Sequence, residues 1–220
     1  MIFFMVLTIL FLGQYPFKYI SSIILAGIFI ASLFVLLAKN YPDLVPNRID
    51  TWANRIENYI NPNLSESGYQ INRAKAAIAN GSLFGVGAGK SSMKYILPQS
   101  TSDFIFSIVT EEYGFVVAIL ILFLYLILLF RIIIISYKST SIFGKLIALS
   151  VGLPVVFQAF INMGVAVQLI PVTGQPLPLI SMGGTSIWTT FLAFGILLSV
   201  SSKKTIGEAE HKSNDLKIYG

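Results

Sequence analysis

The sequence predicts an all-α fold, a polytopic membrane helix bundle of about five membrane segments with a large extracytoplasmic loop. Three observations point there. Hydrophobic residues make up 55% of the chain and charged residues 11%, and the mean hydropathy is +0.77, a balance typical of membrane proteins. The apolar residues are gathered into runs that approach the length a bilayer demands, about 20 residues rising 1.5 Å each. Most cations fall outside these runs, and those in the short loops set orientation rather than destabilise a span.

The same composition excludes several classes of function. With no cysteine, disulfides and thiolate-based metal or redox chemistry are absent. The single histidine, His211, lies in the polar tail, where a solvated side chain is the expectation rather than a ligand. The net charge of +5 suits anionic lipid surfaces or phosphate-bearing lipids. No basic stripe interleaved with aromatics is present, which argues against nucleic acid as a partner.

Taken in order, residues 1–12 form an apolar run that is too short to cross a membrane and has neither a leading cation nor a small-residue cleavage site. It reads as a partial membrane helix, not a signal peptide, and predicts that the chain is the C-terminal part of something longer. A polar turn, Gly13 to Lys18, leads into a full-length span over residues 19–38. Residues 39–113 are mixed and polar, with Pro42, Pro46, Pro62 and Pro98, and predict one large loop. Short helices are expected within it at Ile49–Tyr59 and Tyr69–Asn80, the second stopped at Asn80-Gly81.

A helix beginning near Phe104 then becomes the apolar span 115–136, with Arg131 towards its far end. After a basic turn, span 146–167 carries Pro154, Gln158 and Asn162. The four-residue spacing puts Gln158 and Asn162 on one face, directed into the bundle, where each hydrogen bond is worth about 1 kcal/mol or less. Residues 168–184, with three prolines and three glycines, cannot be regular helix. The last span is 185–200, followed by a polar cytoplasmic tail at 203–220. Lys18, Arg131, Lys138, Lys145, Lys203, Lys204, Lys212 and Lys217 would share one side, the cytoplasm by the positive-inside rule. The long loop and the Pro/Gly-rich segment then lie outside, away from nucleotide pools.

Two stretches carry candidate chemistry. GVGAGKS at 85–91 imitates a phosphate-binding P-loop, but the position of the first required glycine holds Phe84 and no strand precedes it. Gly81, Gly85, Gly87 and Gly89 instead suit tight turns or close approach to another surface, and Lys90 and Lys94 beside them suit a lipid pyrophosphate. The second stretch is LPQSTSDFIFSIVTEEYG at 97–114. Asp103 reads either as a helix cap, worth about 1 kcal/mol, or as a functional carboxylate with Ser107 and Thr110 along its face. Glu112 points nearly opposite and Glu111 is intermediate. Thr173, Gln175, Ser181, Thr185 and Ser186 gather polar groups in the Pro/Gly-rich stretch, as expected of backbone lining a cavity.

GYQINRAKAAIANGSLFGVGAGKSSMKYILPQSTSDFIFSIVTEEYG followed by PVTGQPLPLISMGGTS resembles the SEDS family, the FtsW/RodA/SpoVE-type peptidoglycan glycosyltransferases, and its division-type branch in particular. The likeness runs from about Tyr69 to Ser202. It implies ten membrane helices in a complete member, of which this chain holds the last five, the first one clipped. It implies polymerisation of lipid II, an undecaprenyl-pyrophosphate-linked substrate, on the outer face of the bacterial cytoplasmic (inner) membrane at the division site. Asp103 falls on the family's catalytic aspartate, and a carboxylate suits a general base. Lys90, Lys94 and Arg73 would offset pyrophosphate charge, with or without a divalent cation. Gln70, Glu112, Thr173 and Ser181 also fall on family motif positions and are substrate-binding candidates. No resident metal site or organic cofactor is implied. The expected partners are a monofunctional transpeptidase of the class B penicillin-binding type and other division proteins. Gln99 and Thr101 stand where the family often has Glu and His, which leaves the base fewer ionisable neighbours. Other readings are a lipid II transporter or flippase, a non-catalytic division scaffold, or a fragment inactive without its other half.

Overall fold

The computed structural model describes residues 2–40, 66–97 and 100–218. The helix expected at Ile49–Tyr59, Gln99 and Pro98 lie outside the described residues. Within them the fold is all-helical, a polytopic membrane helix bundle with no strand among the described residues. The elements are α1 (Ile2–Leu12), α2 (Phe17–Asn40), α3 (Glu66–Asn80), a 3₁₀ turn (Met93–Tyr95), α4 (Ile105–Lys138), α5 (Ile142–Ala166) and α6 (Gly184–Ile218). Among the described residues, three stretches are long and apolar enough to cross a membrane: α4, α5 and the part of α6 over Gly184–Ser202. A shorter apolar stretch covers Phe17–Ile30 of α2.

Helices α4 and α5 form the central pair, with α3 lying on α4, α6 against α5 and α4, and α1 against α5. Small side chains on α5 explain the close pairing. A Cβ at Gly152 would stand 2.7 Å from the Ile132 side chain of α4, and Ala148, Ala159 and Ala166 are fully buried. In lipid, where apolar contact with a neighbour gains little over contact with acyl chains, such residues drive association by letting backbones approach. Phe106, Ala118, Ile121 and Tyr125 of α4 pack there against Ala159 and Met163. The opposite face of α4 presents Phe115, Leu120, Phe123, Ile127 and Phe130 outward, the composition a lipid-facing surface requires.

Helix α4 begins at Ile105, where a helix starting near Phe104 is expected, and its first turns are covered by α3 and Leu97. One departure from the sequence reading matters for the site: α4 is interrupted at Gly114, which takes φ 85° and ψ 175°, a conformation glycine adopts without a Cβ penalty. The last span, expected over 185–200, lies within the apolar part of α6 over Gly184–Ser202, and the helix itself continues to Ile218.

Candidate functional site

Asp103 occupies the turn just before α4. The cap position itself belongs to Phe104, which has φ −110° and makes no side-chain cap bond. The capping reading of Asp103 is therefore corrected: its Oδ1 accepts from the Ser102 hydroxyl at 2.9 Å. Asp103 is half-buried. Its Oδ2 faces Gly174, where an added Cβ would come within 3.4 Å. Gly174 has φ +67°, so both its conformation and its proximity to the carboxylate favour a residue with no side chain.

The segment 171–183 is held against Asp103 by a set of bonds to main-chain atoms. Asn162 of α5 donates through Nδ2 to the carbonyls of both Asp103 and Gln175, each at 2.7 Å. One helical turn earlier, Gln158 donates to the Pro176 carbonyl at 2.9 Å. Ser181 donates to the Ser102 carbonyl and accepts from the Leu177 amide, both at 2.6 Å. The Met182 amide reaches the Thr101 carbonyl at 2.9 Å, and the Tyr125 hydroxyl donates to the Pro178 carbonyl. Three prolines remove amides that a helix would need, and the carbonyls of Gln175, Pro176 and Pro178 in the resulting irregular segment are satisfied by side chains from α4 and α5. The result places an irregular strap across the start of α4, beside a carboxylate.

The glycine loop is fastened to the other end of α4's first turns. The interruption at Gly114 breaks the ladder that would join the Glu111 carbonyl to the Phe115 amide and the Glu112 carbonyl to the Val116 amide. The loop replaces all four partners. Val86 and Gly87 amides donate to the Glu111 and Glu112 carbonyls at 2.9 and 3.0 Å, and the Phe115 and Val116 amides donate to the Ser82 and Leu83 carbonyls at 3.0 and 3.4 Å. Backbone meets backbone so closely that a Cβ at Gly81, Gly85 or Gly114 would fall 2.1, 2.2 or 2.3 Å from a main-chain oxygen.

Glu111, buried at 1% exposure, receives hydrogen bonds from the Ser91 hydroxyl, the Ser92 hydroxyl at 3.0 Å, the Met93 amide at 3.4 Å and the Asn80 amide group at 3.4 Å. Neither Glu111 nor Asn162 stands among the sequence-predicted site residues. A glutamate inside an apolar helix was the available signal, since it demands donors, but those donors lie some twenty residues away and no local pattern reveals them.

The other predicted residues are placed as follows. Lys90 and Lys94 are exposed on the glycine loop and its 3₁₀ turn, and neither is hydrogen-bonded to Asp103 among the described residues. Arg73 of α3 stacks over the Tyr69 ring at 4.9 Å, with half-buried Gln70 on the same helix. Thr173 is half-buried in the strap, and Ser181 is buried. Glu112 is half-buried, with its Oε1 inaccessible and unpartnered. The strap therefore joins Ser181 to the Asp103 turn, while α3 and the glycine loop present the cations separately. No cluster of three or more His, Cys, Asp or Glu side chains forms among the described residues.

A family model described as "Cell cycle protein", covering FtsW, RodA and SpoVE, matches residues 1–206. The chain is 40% identical over 188 residues to a protein of Enterococcus hirae named "Probable peptidoglycan glycosyltransferase FtsW", covering 84% of this chain and 47% of that protein. It is 42% identical over 150 residues to "Stage V sporulation protein E" of Bacillus subtilis, covering 67% and 41%. The fold is similar to a chain of the solved structure described as "Structural coordination of polymerization and crosslinking by a peptidoglycan synthase complex". That likeness has a TM-score of 0.65 and 26% identity, and covers 89% of this chain and 52% of the other. The chain spans about half the length of the curated relatives it matches.

Proposed function

The chain belongs to the FtsW/RodA/SpoVE family of cell cycle proteins, and on that premise we propose that it carries the acceptor-activating half of a peptidoglycan glycosyltransferase that polymerises lipid II. The observation that carries the reading is the setting of Asp103. Its carboxylate is fixed on one side by Ser102 and lies on the other beside Gly174, a position without a side chain. A base must be held rigidly yet stay reachable by a hydroxyl proton, and this arrangement supplies both.

In the proposed reaction, Asp103 takes the proton from the acceptor sugar's 4-hydroxyl as its oxygen bonds to the donor's anomeric carbon. The bond from that carbon to undecaprenyl pyrophosphate breaks with inversion. Lys90 and Lys94, and Arg73 from α3, offset the charge that gathers on the departing pyrophosphate. The reaction belongs on the outer face of the bacterial inner membrane at the division site. A crosslinking transpeptidase of the class B penicillin-binding type is the natural partner, because new glycan must be joined to old. One relative's fold comes from a complex described as coordinating polymerisation with crosslinking, which supports that pairing.

The test uses purified protein made from its own gene, with labelled lipid II as substrate. Asp103→Asn preserves size and removes the base, so long glycan products should fall by about 10²–10⁴-fold while membrane insertion is unchanged. Normal polymer yield from Asp103→Asn refutes the assignment. Absence of any polymer from the parent protein, with lipid II still bound, points instead to a transporter or scaffold.

A further inference from the structure

The proposed reaction uses Asp103 and the two loop lysines and leaves Glu111 without a role, although it is a nearly inaccessible carboxylate bearing four donors. We propose that Glu111 is the positioning residue that holds Lys90 and Lys94 for the pyrophosphate of the lipid substrate. The proposal rests on the glycosyltransferase reading above and adds to it the residue on which the lysines' placement depends.

The geometry is a chain of contacts. Three of the donors to Glu111, namely Ser91, Ser92 and the Met93 amide, lie between the two lysines in sequence. Ser91, while donating to Glu111, accepts the Lys94 amide at 3.1 Å. The Lys94 carbonyl in turn accepts from Ser100 at 2.9 Å, three residues before Asp103. One carboxylate thus fixes the main chain on which Lys94 stands, and the next bond links that main chain to the stretch leading to Asp103.

Glu111 sits on the same helix that Asp103 introduces. Ile105 to Glu111 is an uninterrupted stretch of α4, about 9 Å long at 1.5 Å per residue, and acts as a rigid spacer between the base and the lysine loop. Loop lysines lose rotamer freedom when they bind phosphate, and a loop free to wander would add backbone entropy to that loss. Anchoring the loop to α4 by charge-assisted bonds removes the second cost before substrate arrives. The fourth donor, Asn80, closes the end of α3 onto the same carboxylate at 3.4 Å.

Loss of a merely structural carboxylate would destabilise the protein regardless of the lysines, so the test is a double-mutant cycle read by binding. Lipid II affinity is measured on the Asp103→Asn background, where no turnover consumes the ligand, for Glu111→Gln with and without the pair Lys90→Ala and Lys94→Ala. The expected result is about tenfold weaker binding from Glu111→Gln when both lysines are present and less than about twofold when they are absent, the non-additivity expected of residues acting through one another. Hydrogen exchange of the Lys90, Ser91 and Lys94 amides should quicken in Glu111→Gln. If Glu111→Gln gives unfolded protein, the paired change Ser91→Ala and Ser92→Ala removes the loop's side of the contact and should reproduce both effects. Equal loss of affinity on both backgrounds, no loss on either, or unchanged loop exchange overturns the proposal. Failure of the parent to bind lipid II overturns the glycosyltransferase reading, and this assignment falls with it. Full turnover by Asp103→Asn overturns the base assignment alone, because the coupling of Glu111 to the lysines does not depend on which residue takes the proton.

Discussion

Replacing Asn162 with alanine should detach the strap from Asp103 without unfolding the bundle. Two bonds of 2.7 Å, to the Asp103 and Gln175 carbonyls, disappear together. Leaving each of these buried carbonyls without its donor costs about 1.5 kcal/mol. The Asp103 carbonyl has no helical amide to fall back on, since the Ser107 amide is engaged with the Phe104 carbonyl. The combined loss is about 3 kcal/mol, at the high end for polar contacts between membrane helices. Because α5 is otherwise anchored by Ala159, Met163 and Ala166, that loss falls on the strap. Hydrogen exchange mass spectrometry reads it directly. The amides of Leu177, Ile180, Ser181 and Met182, all bonded in the structure, should exchange about a hundredfold faster, as about 3 kcal/mol of local opening requires. Under the proposed reaction polymerisation should fall with them, because Asp103 loses its brace. Unchanged exchange at those four amides, together with polymer yield within about twofold of the parent, would refute the reasoning.

Two further outcomes follow from the same geometry. Gly85→Ala places a Cβ 2.2 Å from the Glu112 carbonyl oxygen at φ +80°, whereas Gly89→Ala at φ +73° meets nothing within 4 Å. The first should open the loop from α4 and lower the thermal midpoint in detergent markedly, while the second should cost only the about 1–2 kcal/mol of a left-handed residue; equal midpoints for the two variants would contradict the close-approach account. Ser181→Ala removes a donor and an acceptor, each bond 2.6 Å, and should cost about 2 kcal/mol. Unaltered exchange at the Leu177 amide would show that the hydroxyl is not what holds the strap.

The bundle was legible in the sequence because hydrocarbon imposes a length on any segment that crosses it. α4 and α5 show that length in runs of apolar residues, and Gln158 and Asn162 revealed their common face by spacing alone. Their partners were not visible, since the carbonyls of Asp103, Gln175 and Pro176 carry no signature of their own. Asp103 was singled out by residue type and by family pattern, and of the two local readings, cap or functional carboxylate, the cap position goes in the structure to Phe104. The cover that α3 gives to the first turns of α4, through Ala74 against Phe104 and Ile108, lies outside any window over residues 97–114.

Glu111 and Gly114 show the same limitation from another side. An apolar run continues through residues 115–130, so periodicity carries α4 straight across Gly114. The interruption becomes intelligible only when the glycine loop supplies the four main-chain partners that the helix gives up. Those partners would be of little use on a loop free to drift, and Glu111 removes that freedom by binding Ser91, Ser92 and Met93. The backbone break and the buried carboxylate thus act on one loop, the break through main-chain atoms at 82–87 and the carboxylate through 91–93. Glu112, its neighbour in sequence, adds only its carbonyl to this contact, which is why two adjacent glutamates in one apolar helix have different fates.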